Sequence, residues 1–198
     1  MAPAAGRLFE PDLPEGFSYR EEFLTTAEEQ ALAAAIAEVA FSDFEMRGVV
    51  ARRRVAFFGL SYLDANAPPT PMPGFLLGAR ERLAEWAGLP ADDFVMALIN
   101  EYPPGAPIGW HRDAPPYGIV AGVSLLSSCR MRLRPYVAPQ SKGSGRRTAT
   151  HELILTPRSA YVMRGPARSA FEHSIPPVDA LRYSITFRTV RTPGGRHS

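Results

Sequence analysis

The chain has a single cysteine, Cys129, among 198 residues. That excludes an internal disulfide, and with it the stapled frameworks of small secreted domains; it fits a reducing compartment. No run approaches the ~18 apolar residues that a membrane-crossing helix needs. The start, MAPAAGRLFEPDLP, lacks the basic residues and apolar stretch of a secretory signal. These absences set the expectation of a soluble, cytoplasmic protein without a membrane partner. Charge of one sign is also lacking: 22 Lys and Arg against 20 Asp and Glu leave +2. So small an excess permits a polyanionic partner without demanding one. No internal repeat and no break in composition divides residues 1–198, so one domain is expected. Nothing in the chain calls for an obligate protein partner, and a monomer is expected.

What is present points to a sheet protein rich in turns. Hydrophobic residues make up 45% of the chain, enough for a sizeable core, and 20 prolines and 16 glycines punctuate it. Residues 1–14 hold three prolines and no periodicity, as in a flexible arm. Thr25 followed by Glu28 is a capping-box signature, and Leu32, Ile36, Val39 and Ala40 then recur at helical spacing, predicting a helix over 25–40. Residues 47–63 are basic and aromatic with strand-like composition, and 66–74 form a proline-rich loop. A second helix is predicted over 75–87, with Phe75, Ala79, Leu83 and Trp86 on one face and Gly88 and Pro90 ending it.

From Phe94 the period becomes two. Phe94, Met96, Leu98, Asn100 and Tyr102 should share one face, and Val95, Ala97, Ile99 and Glu101 the other. Further strands are expected over 119–126, 129–136, 151–155, 160–164 and 182–190, with residues 139–148 a polar hairpin loop. Two helices and then seven or eight short strands suggest a mostly β, α+β protein, its helices packed on one sheet of a sandwich or jelly roll.

The residues that carry chemistry lie in the C-terminal half. His111 and Asp113 are two apart, so an extended backbone sends both side chains to one side. With His173 they make two imidazoles and a carboxylate, a set that holds Fe(II) on three corners and leaves three open. His173, in FEHSIPP, equally suits a buried imidazole bonded to backbone. In RYSITFR, Arg182, Ser184, Thr186 and Arg188 share one face, and Tyr183, Ile185 and Phe187 share the other. Facing inward, two guanidinium groups need an anion, and a dicarboxylate would meet them with forked hydrogen bonds. Facing outward, the same strand is an ordinary solvated face. Asn100 and Tyr102 are placed to add hydrogen bonds.

Taken together, NEYPPGAPIGWHRD, GVSLLSSCRMRLRPY, FEHSI and RYSITFR resemble the AlkB-like family of Fe(II)/2-oxoglutarate dioxygenases. The resemblance covers about residues 96–191. It implies a double-stranded β-helix (jelly roll) over 93–191, preceded by helices and a substrate-recognition region over 15–92. It implies iron ligands at His111, Asp113 and His173, and 2-oxoglutarate contacts at Asn100, Tyr102, Arg182, Ser184 and Arg188, with both arginines on the far carboxylate. Many members have asparagine at the position of Ser184. The implied cofactors are Fe(II), 2-oxoglutarate and O2. The implied reaction removes methyl groups from alkylated DNA or RNA bases, releasing formaldehyde, succinate and CO2. A hydroxylase or demethylase of protein or small molecules is the alternative.

For a nucleic-acid substrate, the stretch holding Arg53, Phe57, Phe58 and Tyr62 offers cations for phosphate and rings for stacking, although the two phenylalanines equally suit a core strand. Arg130, Arg132, Arg134, Arg164 and Arg168 are further candidates for a phosphate-binding rim. One departure from the family stands out: several base demethylases carry an acidic residue two places after the ligand aspartate, where this chain has Pro115. Glu45, Asp64 and Glu172 are the candidate replacements.

Overall fold

The computed structural model describes residues 12–46, 49–60, 68–137 and 149–191, with backbone alone for 45–46 and 49–50. The first helix, α1 (Thr26–Ala37), begins where its capping box predicts. The Glu28 N–H donates to Thr25 Oγ1, and the Thr25 N–H donates to the Glu28 carboxylate at 2.7 Å. It stops earlier than its apolar spacing suggests, with Glu38 as C-cap; Val39 still packs on the core from beyond the helix end. The second helix, α2 (Gly74–Ala87), ends on Gly88 in the left-handed region (φ +69°), which glycine enters without steric cost. A third, α3 (Gly165–Ser169), is a single short turn. Among the described residues no helix is long and apolar enough to cross a membrane.

Eleven strands lie among the described residues: β1 (Phe17–Arg20), β2 (Ser42–Met46), β3 (Val49–Gly59), β4 (Met96–Tyr102), β5 (Ile108–His111), β6 (Tyr117–Leu125), β7 (Cys129–Pro135), β8 (His151–Leu155), β9 (Ala160–Met163), β10 (Phe171–Ile175) and β11 (Arg182–Val190). They form two antiparallel sheets, one of seven strands in the order β1-β9-β6-β11-β4-β3-β2 and one of four in the order β5-β10-β7-β8. Neighbours in each sheet are mostly distant in sequence, the crossing pattern of a jelly roll.

Period-two alternation divides the large sheet into two faces, each with its own core. Ala97, Ile99, Ala121, Val123, Ile185 and Phe187 face the helices and pack with Leu32, Ile36, Leu76 and Leu83. The opposite face looks at the small sheet, where Val120, Tyr161 and Met163 meet Met131, Leu133, Leu153 and Leu155. Phe94 departs from the alternation expected of it: it precedes β4 and packs on the helix side against Phe187, with ring centroids 5.8 Å apart. The inward faces of β4 and β11, paired in register from Arg182↔Tyr102 to Arg188↔Met96, are polar as well as apolar, and a cavity opens there.

Candidate active site

The two histidines, 62 positions apart in sequence, are direct partners across the ladder of β5 and β10, where His173 pairs with His111. Their ring centroids are 4.2 Å apart. His111 Nδ1 lies 2.9 Å from the Gly109 carbonyl, which fixes the tautomer with Nδ1–H donating and leaves Nε2 with its lone pair. Both imidazoles are held neutral. Burial, reinforced by the neighbouring His111, pushes His173 down to about 3, and burial also lowers His111.

Asp113 lies just past the end of β5 and lines the same cavity as both histidines. Its Oδ1 accepts from Arg188 Nε at 3.0 Å and Nη2 at 2.7 Å. Burial alone would raise this carboxyl; the Arg188 guanidinium beside it outweighs burial and holds the group well below the usual carboxylate range. Asp113 thus stays ionised. With its carboxylate turned to Arg188, it closes no ready-made cage with the histidines, and no such cage of three His, Cys, Asp or Glu groups occurs among the described residues. Two neutral imidazoles, one with its free nitrogen assigned, and one carboxylate are nonetheless a donor set that suits a ferrous ion.

The arginines are placed differently from the expected two-guanidinium clamp. Six residue steps of extended strand separate Arg182 from Arg188, roughly 20 Å, so the two cannot close on one carboxylate. Arg188 is committed to Asp113. Arg182, 1% exposed, sits at the other end of the cavity: its Nε donates to Ser124 Oγ at 3.0 Å, its guanidinium lies 5.0 Å from the Tyr102 ring centre, and its Nη1 has no partner. A buried guanidinium with an unused N–H is costly unless an anion meets it. That orphan donor fits one end of a dicarboxylate. Asn100, Tyr102 and Ser184 line the same cavity, whose volume is about 430 Å³. Ser124 orients Arg182 and escaped the sequence reading, although alternation along β6 puts it on the inward face with Val120.

A second space, about 760 Å³, adjoins the first. Phe44, Arg53, Ile108, His111 and Asp113 line both. Trp110, Arg112, Tyr136 and Glu172 complete much of the outer wall. Arg112 stacks over Tyr136 at 3.6 Å, and Arg134 lies over Trp110 at 4.1 Å while donating to Glu172 at 2.5 Å.

Of the expected substrate contacts, Arg53 and Phe57 line the inner cavity. Phe58 does not: it lies one residue on along β3, so the pleat turns it to the opposite face, where it packs on the helix-side core. Tyr62, Asp64, the Glu45 side chain and the 139–148 loop lie outside the described residues. Arg164 and Arg168 do not form a phosphate rim; Arg164 donates to the Ala87 carbonyl, and Arg168 to the carbonyls of Ala114 and Tyr117. Phe44 and Trp110 had drawn no attention, because a lone aromatic on a short strand has no pattern to mark it.

Comparison with known proteins completes the description. The model of the 2OG-Fe(II) oxygenase superfamily matches residues 60–188. An Arabidopsis thaliana protein named "Alkylated DNA repair protein ALKBH8 homolog" is 26% identical over 192 residues, covering 86% of this chain and 54% of that protein. The Homo sapiens "DNA oxidative demethylase ALKBH2" is 30% identical over 141 residues, covering 67% of this chain and 53% of that protein. The chain thus spans about half the length of these curated relatives. Two solved structures share the fold: OsALKBH1 (TM-score 0.60, 16% identity, 89% of this chain and 99% of that one) and a Pseudomonas putida prolyl-4-hydroxylase (TM-score 0.57, 18% identity, 89% and 94%).

Proposed function

We propose that this chain, which belongs to the 2-oxoglutarate/Fe(II) oxygenase superfamily, is an AlkB-like dioxygenase that removes alkyl groups from bases of DNA or RNA by oxidation. Fe(II), 2-oxoglutarate and O2, the reagents of that superfamily, would supply the oxidation of a C–H bond, with 2-oxoglutarate leaving as succinate and CO2 and an N-methyl group leaving as formaldehyde.

The chain's own share is binding, orientation and exclusion of water. His111 and His173 would hold the iron as neutral ligands, with no proton to displace from either ring. Asp113 would be the anionic ligand, kept ionised by Arg188. Arg182 takes the far carboxylate of 2-oxoglutarate on its spare N–H, with Asn100, Tyr102 and Ser184 as further polar contacts in the same cavity. Met96, Leu98, Val120 and Met131 make the intervening walls apolar, which strengthens each of these charge interactions.

The observation that carries the nucleobase reading is the outer groove. It opens on His111 and Asp113 and is walled by Phe44, Trp110 and Tyr136, with guanidinium groups against all three rings. Rings with cations alongside suit an unstacked base and its backbone. The test is formaldehyde release by the full chain from methylated single-stranded DNA, duplex DNA and RNA, with Fe(II) and 2-oxoglutarate present. Release from at least one of them supports the reading. Succinate formation with no formaldehyde from any of them would move the substrate to another class.

A further inference from the structure

The two adjoining spaces are lopsided in charge. Among the described residues, the inner cavity has three guanidinium groups, Arg53, Arg182 and Arg188, and one carboxylate, Asp113. The outer groove adds one more carboxylate, Glu172, against three further arginines. Both carboxylates are already engaged, Asp113 with Arg188 and as the proposed iron ligand, and Glu172 with Arg134.

Arg53 stands at the junction, lining both spaces and 8% exposed. Its Nε donates to Asn100 Oδ1 at 3.2 Å, and its guanidinium lies 4.2 Å from the centre of the Phe44 ring. No carboxylate among the described residues pairs with it. Arg182 and Arg188 serve the cosubstrate and the iron ligand; Arg53 has no part in holding either. With Fe(II), 2-oxoglutarate, Asp113, Arg182 and Arg188 counted together, the region is already net positive before Arg53 is added. Pro115, where an acid would stand two places after Asp113, is part of the same groove and brings no negative charge.

Alkylation acts on charge in two ways. On the N1 of adenine or the N3 of cytosine it fixes a positive charge on the ring. On the N3 of thymine or uracil, or on an exocyclic amine, it leaves the base neutral, and thymine and uracil keep carbonyl oxygens that accept hydrogen bonds. A cation brought beside Arg53 would be repelled in a low-dielectric space where no unengaged carboxylate stands among the described residues to offset it. A carbonyl oxygen would instead satisfy the spare donors of the guanidinium.

We propose that the alkylated base taken by this site is electrically neutral, and that Arg53 is the specificity-determining residue: it donates to an acceptor oxygen of the base and excludes cationic bases. The inference rests on the nucleobase reading above and narrows it. The test compares single-stranded oligonucleotides carrying 3-methylthymine or 3-methylcytosine, which place the methyl group at the same ring position and differ in charge. The wild-type chain should favour the neutral base in kcat/KM by about tenfold or more, the scale of one like-charge contact at partial burial. Arg53→Lys should keep most of that ratio, Arg53→Gln should reduce it toward one, and Arg53→Glu should invert it. A role confined to structure would lower both rates and leave the ratio unmoved, which would overturn the assignment to Arg53. Equal rates or preference for the cationic base in the wild type would overturn the inference and leave base demethylation standing. No formaldehyde from either strand, with succinate still forming, would overturn the nucleobase reading and this inference with it.

Discussion

Replacing Arg182 with methionine should have opposite effects on the metal-loaded, cosubstrate-free protein and on its affinity for 2-oxoglutarate. Arg182 is 1% exposed and its Nη1 has no partner, so before 2-oxoglutarate binds the fold carries a buried charge with an unused donor. Leaving such a donor unmet costs about 1–3 kcal/mol. Methionine is unbranched and adaptable in shape, and it removes that cost. It also strands Ser124 Oγ, which now accepts from Arg182 at 3.0 Å, returning about 1 kcal/mol. The net expectation is a cosubstrate-free protein unchanged or stabilised by up to roughly 2 kcal/mol, a rise in Tm of as much as about 8 °C for a domain of this size. For 2-oxoglutarate the sign reverses: losing one partner of a desolvated charge pair costs about 2–5 kcal/mol, some thirtyfold to several thousandfold in affinity. Thermal unfolding with Mn(II) as a redox-inert stand-in, with and without 2-oxoglutarate, reads both at once. In the wild type, cosubstrate at ~100 times its Kd should add about 2.7 kcal/mol of stability. In Arg182→Met that increment should fall below about 1 kcal/mol at the same concentration. A variant that keeps the wild-type increment would show that Arg182 does not hold the cosubstrate, and a large loss of stability without ligand would show that its charge is met inside the fold.

Much of this arrangement was legible in the sequence because period-two alternation is a local property. Arg182, Ser184, Thr186 and Arg188 could be assigned to one face, and Tyr183, Ile185 and Phe187 to the opposite one, from spacing alone, which left open the face that looks inward; the helix-side core and the cavity divide them that way. The capping box of α1 and the glycine stop of α2 were legible for the same reason. What spacing could not supply was the pairing between distant strands. That His173 sits opposite His111 is a fact of the β5–β10 register, and the separate tasks of Arg182 and Arg188 follow from Ser124 and Asp113, which reach them from other strands and loops. Phe58 was misassigned because adjacent phenylalanines look alike in sequence, whereas the pleat sends them to opposite faces. Of the triplet Arg52-Arg53-Arg54, Arg53 lines the cavity, while Arg54 pairs with Glu101 at 2.7 Å. A run of charge in one dimension gives no sign of that division.

Asp113→Ala should abolish metal-dependent succinate formation; the buried ion pair shows that it should also destabilise the fold, by about 3–5 kcal/mol, because Arg188 is left 8% exposed and unpaired. Denaturant unfolding checks this, and a fold as stable as the wild type would mean that Arg188 finds another partner. Gly122→Ala should cost about 1–3 kcal/mol and weaken 2-oxoglutarate binding, since a Cβ there would stand 2.6 Å from the Tyr161 ring and drive the phenol into the cavity; unchanged binding would mean that the ring has room to move aside. The pH dependence of the metal-free protein tests the neutral imidazoles. His173 falls from an ordinary 6.5 to about 3 on folding, and His111 moves in the same direction, both through burial. Between those values the unfolded chain binds protons that the folded one refuses. Stability is therefore complete above about pH 6.5 and is lost as pH falls, by up to about 1.4 kcal/mol per pH unit for each such imidazole. Working between pH 6.5 and 5.5 keeps the measurement above the ordinary values of Glu28 (4.5) and Asp113 (3.8), both lowered on folding, so the loss there belongs to the histidines. His173→Leu should flatten the slope, leaving the part due to His111. A metal-free protein equally stable at pH 7 and pH 5 would mean that the paired rings can take up a proton inside the fold. They would then meet an incoming ferrous ion as partly charged groups, contrary to their role as neutral ligands.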